Sequence, residues 1–402
     1  MAAAAAALVA ACGGGGGGGT AVPAVAGSAV GVLTDSPIGG VEYITSGGYR
    51  GFTDANGNYN YNEGETVEFR IGGISLGTVT ATGTVTPIQL AGSGAGAANK
   101  VINLLVLLQS LDADGNPANG ITIAETARTA AASVTTLDLT AAPATFASAS
   151  TLGTLLSSSG VSSTPVTAET ALEHFRTQFM SQLAGGWVHA SDTKLIVLRF
   201  AADGSYLHGE NAAPVGDGHP GVEEGKIAWD PVTGEMRVVS TGVDTNGDWG
   251  LSSLTGKEIA SFNGDKLVFT DPDGTVTTFV RIPKSDTNPL AGMWTLASTG
   301  TDLTRQNFVF FASGAYMMLD PVGDDQNAGT PCGGPGIERG TYTYDASTGA
   351  FATTAVARDT NGCAGLWDSE AGTGTSVTVP ATQIATGIFD IESGVTFRRV
   401  GP

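Results

Sequence analysis

The second half of the chain is written twice. Leu183-Ala184-Gly185-Gly186-Trp187 returns as Leu290-Ala291-Gly292-Met293-Trp294. Phe200 to Tyr206 returns as Phe311 to Tyr316, one residue shorter. Gly225-Lys226-Ile227-Ala228-Trp229-Asp230 with Thr233-Gly234 returns as Gly340-Thr341-Tyr342-Thr343-Tyr344-Asp345 with Thr348-Gly349. Asp244-Thr245-Asn246-Gly247 matches Asp359-Thr360-Asn361-Gly362, and Phe279-Val280-Arg281 matches Phe397-Arg398-Arg399. Five anchors in one order mark a duplication. Its period is roughly 100 residues, far above the ~20–50 of a solenoid repeat. Each copy, 184–284 and 290–402, is therefore a domain or half of one.

Within the first copy, short apolar runs alternate with Gly and Asx turns. Lys194–Phe200, Ser205–His208, Val222–Trp229, Met236–Ser240, Glu258–Phe262, Lys266–Thr270 and Val276–Ile282 read as strands. With the segment at Trp187 they make about eight, enough to close a small antiparallel barrel. The opening Gly-x-Trp (Gly185–Trp187, Gly292–Trp294) and the Arg of the last strand (Arg281, Arg399) resemble the lipocalin-type signature. That resemblance implies that each tryptophan closes a barrel floor under its arginine, a cation–π contact of ~0.5–2 kcal/mol. A two-sheet sandwich is the alternative.

Upstream, GVLTDSPIGGVEY and GFTDANGNYNYNEGETVEF carry strand alternation at Val67, Phe69 and Ile71 and a hairpin signal at Asp54–Asn58. These runs resemble the small β-sandwich of the carboxypeptidase-regulatory or transthyretin-like type, and place it at 30–90. A helical spacer follows at 91–183. Val101, Leu104, Leu105, Leu108 and Leu111 give one helix face, Ala124–Ala132 a second helix, and Ala168–Leu183 a third with Thr167 as N-cap. Thr135–Pro165, rich in Ser, Thr and Ala, shows only weak patterning. The expected fold class is mainly β: a small N-terminal β-sandwich, a helical spacer, then two tandem antiparallel lipocalin-like β-barrels.

Residues 1–12 read MAAAAAALVAAC, and glycine fills 13–19. Val9-Ala10-Ala11-Cys12 resembles the lipobox of bacterial lipoproteins, although the basic residues of a signal's start are missing. The resemblance implies a signal peptide at 1–11, lipid on Cys12, a glycine-rich tether at 12–29 and, without an Asp after Cys12, the outer membrane. A disordered Ala/Gly tail is the alternative. Cys332 and Cys363 fit a disulfide of an oxidising compartment; a catalytic thiol or metal pair is the sharper alternative. With 18 Lys+Arg against 38 Asp+Glu, the net charge is −20. That argues against nucleic acid, whose phosphates need clustered cations.

Two clusters suggest metals. His208, Glu210, Asp217 and His219 are close in sequence and of types that bind zinc; a polar strand end beside a glycine-rich loop is the plainer reading. Asp112, Asp114 and Asn116 have the first spacings of a calcium loop, but Ile123 stands where the bidentate Glu belongs. An Asx-stabilised helix stop is the plainer reading there. Asp244–Asp248 and Asp359–Gly362 read as hairpin turns, and Glu223-Glu224 as a solvated pair. G-x-S-x-G, P-loop and H-E-x-x-H motifs are missing. The expected function is non-enzymatic: binding of a small apolar ligand or a surface partner, with no cofactor save calcium at the Asp112 turn. An adhesin or scaffold with filled barrels is one alternative. A metal-dependent hydrolase on His208 and His219 is the other.

Overall fold

The computed structural model describes residues 27–191, 194–299, 302–323, 333–369, 371–392 and 395–401. Cys12, the 1–11 signal-like run, the tether up to residue 26 and Cys332 lie outside the described residues.

The N-terminal strands are β1 (Ala29–Leu33), β2 (Ile38–Gly39), β3 (Glu42–Thr45), β4 (Arg50–Phe52), β5 (Asn58–Tyr61), β6 (Thr66–Ile71), β7 (Ile74–Thr80) and β8 (Thr84–Val85). They form a three-stranded sheet, β5-β1-β8, and a four-stranded sheet, β4-β3-β6-β7. In β6, Val67, Phe69 and Ile71 are buried while Thr66, Glu68 and Arg70 are not, the period-2 pattern of a one-sided strand. Tyr59 of β5 meets Phe69 of β6 edge-on at 5.1 Å, so the two sheets face each other. Asp54–Asn58 is a tight turn, with the amides of Asn56 and Asn58 donating to Asp54 Oδ1 at 2.8 and 2.9 Å. It is not the hairpin expected: β4 pairs with β3, and β5 with β1. Turn chemistry fixes the reversal but not which sheet each flank joins.

Helices α1 (Pro87–Ala91) and α2 (Ala97–Ser110) follow, then β9 (Ile121–Thr122), α3 (Glu125–Ala131), α4 (Pro143–Ala147), α5 (Ser150–Ser159) and α6 (Ala168–Leu183). β9 pairs with β2 and ties this layer to the sandwich. α4 and α5 lie in the stretch that the sequence left unpatterned. Ser and Thr are middling helix formers, so burial of Leu152, Leu155 and Leu156 decides the matter for α5. Thr167 caps α6, its hydroxyl accepting from Thr170 N at 3.1 Å.

The first barrel is closed by β10 (Gly185–Ala190), β11 (Leu195–Phe200), β12 (Ser205–Asn211), β13 (Gly221–Trp229), β14 (Glu235–Asp244), β15 (Glu258–Asn263), β16 (Lys266–Thr270) and β17 (Val276–Arg281). α6 covers one end: Phe179 stacks on Trp229 at 3.9 Å, and Phe175 meets it at 5.3 Å.

The second copy comprises β18 (Gly292–Thr295), β19 (Asn307–Phe310), β20 (Ala315–Asp320), β21 (Gly336–Asp345), β22 (Ala350–Asp359), the small ribbon β23 (Trp367–Asp368) and β24 (Thr373–Gly374), then β25 (Ser376–Thr378), α7 (Ala381–Ala385), β26 (Ile388–Glu392) and β27 (Val395–Arg399). Its eight-stranded sheet runs β25-β22-β21-β20-β19-β18-β27-β26 and is nearly closed. Phe200 pairs with Tyr206, and Phe310 with Tyr316. The true equivalent of Phe200 is therefore Phe310, with no residue missing. The doubled Phe310-Phe311 allowed the one-residue misalignment.

One seam distinguishes the copies. In the first, β15 and β16 form a hairpin paired from Ile259↔Thr270 to Asn263↔Lys266. In the second, α7 separates the equivalent strands, and no ladder joins β25 to β26 among the described residues.

The barrels pack side by side. Val197, Leu207 and Val222 of the first form one buried cluster with Val309, Met317, Leu319 and Ile337 of the second. Leu207 and Met317 are equivalent positions, as are Val222 and Ile337, so the contact has the self-complementary character of a two-fold interface.

Candidate functional site

Each barrel floor is built from the ends of its own repeat. Trp187 pairs across strands with Arg281, and Trp294 with Arg399. The guanidinium carbons lie 3.8 and 4.1 Å from the ring centres. Both indoles are buried and donate backward, Trp187 Nε1 to Leu183 O at 2.8 Å and Trp294 Nε1 to Leu290 O at 2.7 Å. Each Arg donates to two backbone carbonyls just before its tryptophan: Arg281 to Gln182 and Ala184, Arg399 to Pro289 and Ala291.

The opposite ends share a second duplicated device. Tyr206 donates its hydroxyl to Glu223, and Tyr316 to Glu338. Each carboxylate also holds a loop over the barrel mouth. Ser252 N donates to Glu223 at 2.9 Å; Leu366 N and Trp367 N donate to Glu338 at 3.2 and 3.1 Å. Gly250 and Gly365 let these loops approach. Both have positive φ, and a Cβ there would come within 2.3 and 2.4 Å of the glutamate oxygens. Burial pushes the Glu338 carboxyl up to about 7, against the hydrogen bonds from Tyr316 and the two amides. Glu223 is thus fully buried and not part of a solvated pair. The sequence carried a signal for it: Gly221-Val222-Glu223-Glu224-Gly225 repeats as Gly336-Ile337-Glu338-Arg339-Gly340. Asp244–Asp248 and Asp359–Gly362 are likewise not hairpin turns. They begin the long mouth loops, with Asn246 and Asn361 fully buried.

A cavity opens beneath each loop. That of the first barrel has about 230 Å³, with Trp249, Leu251 and Phe279 among its walls. That of the second has about 720 Å³. Its walls include Phe308, Met318, Leu366, Val377, Ile391 and Phe397, with Asp302, Arg305 and Gln306 as polar members. Val377 of β25 and Ile391 of β26 flank the unpaired seam, so the larger cavity and the interrupted hairpin belong together.

The proposed zinc set is not assembled. His208 and Glu210 line the first cavity, where Glu210 meets Lys194 Nζ at 2.9 Å and His208 Nε2 at 3.5 Å. Burial raises the Glu210 carboxyl, but His208 and Lys194 outweigh it and hold it below its usual range. Asp217 and His219 stand on the β12–β13 loop, where His219 N donates to Asn246 O at 3.1 Å. Strand alternation sends the first two residues into the lumen and leaves the loop pair outside. Among the described residues, no group of three or more His, Cys, Asp or Glu is placed to hold a metal ion.

At the calcium-like turn, Asp112 accepts from Thr122 N at 2.9 Å, and Asp114 from Asn116 N at 2.9 Å and Asn119 Nδ2 at 3.0 Å. Both Asp114 oxygens are held by the neighbouring turn, the geometry of an Asx-stabilised stop, while Asp112 uses only Oδ1 and its buried Oδ2 has no partner among the described residues. Cys363 is disulfide-bonded and lies on the wall of the second cavity.

Sequence reasoning also passed over a buried Ser–His–Asp grouping. Ser36 Oγ lies 3.0 Å from His174 Nε2, and Asp35 Oδ1 lies 3.6 Å from the same nitrogen. A nucleophilic relay needs its nucleophile and its orienting acid on opposite nitrogens of the histidine ring. Here Gln109 Nε2 donates to Asp35 at 2.8 Å and to Ala171 O at 3.0 Å, which makes the cluster a tie between sandwich and helices. No protein-family model matches the chain, and no curated protein matches it significantly.

Proposed function

We propose that the protein is a non-enzymatic binding protein of the bacterial cell envelope, anchored by lipid on Cys12 at the outer membrane. The second barrel takes a small, largely apolar ligand. The observation that carries this reading is the 720 Å³ cavity, within the ~300–1,000 Å³ of sites that enclose small molecules. Its apolar side chains suit one part of the ligand, and Ser298, Asp302, Arg305, Gln306, Thr375 and Thr396 offer places for polar groups. No described helix is long and apolar enough to cross a membrane, so a lipid on Cys12 would supply the attachment. The test is mass spectrometry of small molecules extracted from the protein purified from its native envelope. A stoichiometric apolar compound supports the reading; an empty barrel counts against it.

The smaller first cavity favours a second reading for that barrel, a filled scaffold on which α6 and the sandwich dock. The hydrolase alternative gains nothing from the placement of His208 and His219, which do not share a site.

A further inference from the structure

The two floors border a cleft of about 350 Å³ between the barrels. It shares no lining residue with either mouth cavity. Arg281, Lys284 and Arg399 line it, with Ile282, Met293 and Val400 as apolar wall. Three of the chain's 18 basic residues thus gather in one place, in a chain of net charge −20. Among the described residues, none of the three is ion-paired with a carboxylate.

Their closeness is built in. Gly292 has φ +129°, and a Cβ there would lie 2.8 Å from Arg399 Nη1 and 3.9 Å from Lys284 Cγ. The stem of Lys284 and the guanidinium of Arg399 thus both approach one glycine. Each guanidinium is clamped by its tryptophan face and two backbone carbonyls, which use only part of its five N–H donors. Like charges with no carboxylate paired to them among the described residues repel. An anion entering the cleft would relieve that repulsion without any rearrangement of the floors.

We propose that this cleft binds a small phosphate ester, its phosphate between Arg281, Lys284 and Arg399 and its carbon portion against Ile282, Met293 and Val400. Three cations suit a dianion, and the planar Arg forks suit its several oxygens. The volume exceeds that of phosphate alone, leaving room for the ester's carbon skeleton. The ester is either a soluble metabolite or the headgroup of a phospholipid, which present the same chemistry.

The test uses the full chain carrying Cys12→Ser, titrated calorimetrically with glycerol 3-phosphate. The expected result is one site per chain, weakened about tenfold or more by Lys284→Glu, the loss of a charged hydrogen bond. Lys226→Glu, at a lysine paired with Asp203, should leave affinity unchanged. Lys284 is exposed, so its variants should keep the parent melting curve; Lys284→Ala serves if the Glu variant does not. Co-sedimentation with vesicles of phosphatidylcholine containing phosphatidic acid separates the sources. Vesicle binding that Lys284→Glu abolishes assigns a lipid headgroup, and binding of glycerol 3-phosphate alone assigns a soluble ester. Absence of both, or binding indifferent to Lys284, overturns the proposal.

Discussion

Tyr316 donates its hydroxyl to Glu338 at 2.5 Å, and the same carboxylate receives the amides of Leu366 and Trp367 from the loop over the second barrel's mouth. One buried acid thus links the barrel wall to the cover of the cavity. Because burial raises Glu338 to about 7 from an ordinary 4.5, folding favours its protonated form. Asp35, wholly buried beside Gln109, is raised to about 7 from 3.8 by the same cause. By linkage, both contributions are full below the unfolded values and are lost as pH rises through about 7. Each is on the order of 3–4 kcal/mol at most. Melting temperature should therefore fall between about pH 4 and pH 7 and level off above, and Glu338→Gln with Asp35→Asn should flatten that slope. An equally steep slope in the double variant would show that other groups carry it.

Trp187 and Trp294 each close one barrel beneath the Arg of the same repeat. Trp→Ala at either position should cost roughly 3–5 kcal/mol, read by denaturant unfolding. Arg281→Ala or Arg399→Ala should cost less, through the cation–π contact and two carbonyl bonds. Equal losses for Trp and Arg variants would mean that the arginine clamp, rather than the buried ring, holds the floor.

The isolated first repeat, 184–284, should form a barrel with the wrong surface. Val197, Leu207 and Val222, buried against the second barrel, would face water. Because equivalent strands meet there, the fragment is expected to dimerise through the same face, and Leu207→Glu should return it to monomer. Sedimentation equilibrium decides; a monomeric parent fragment would show the interface to be dispensable.

Much of this architecture was legible because the barrel repeats its own evidence. Gly-x-Trp and the closing Arg marked both ends of each copy, and the strands between alternate with turns in the sequence. What escaped depended on partners distant in the chain. Glu223 looks like a surface acid until Tyr206 and Ser252 are brought to it. Asp54–Asn58 reverses the chain convincingly, yet its flanks belong to different sheets. α5 is Ser-rich and becomes a helix through the burial of three leucines. His208 and His219 are near in sequence, but a strand end separates lumen from loop.

The interrupted hairpin makes a further prediction. Replacing Val379–Gly387 by the short turn that joins β15 to β16 should let β25 pair with β26. Closing that seam adds ladder hydrogen bonds, each worth about 1 kcal/mol, so the variant should be more stable. It should also bind less ligand, because Val377 and Ile391 would be drawn together at the cavity wall. Hydrogen exchange of β26 amides reads the closure; unchanged exchange would mean that α7 is not what keeps the strands apart.

On the proposed function, the second barrel holds an apolar ligand and the first does not. Equilibrium titration of the full chain with the uncharged fluorophore N-phenyl-1-naphthylamine tests it most directly. One molecule should bind per chain, Val377→Trp in the second cavity should abolish binding, and Leu198→Trp in the first should leave it intact. No saturable binding, or binding lost through Leu198→Trp and kept in Val377→Trp, would contradict it.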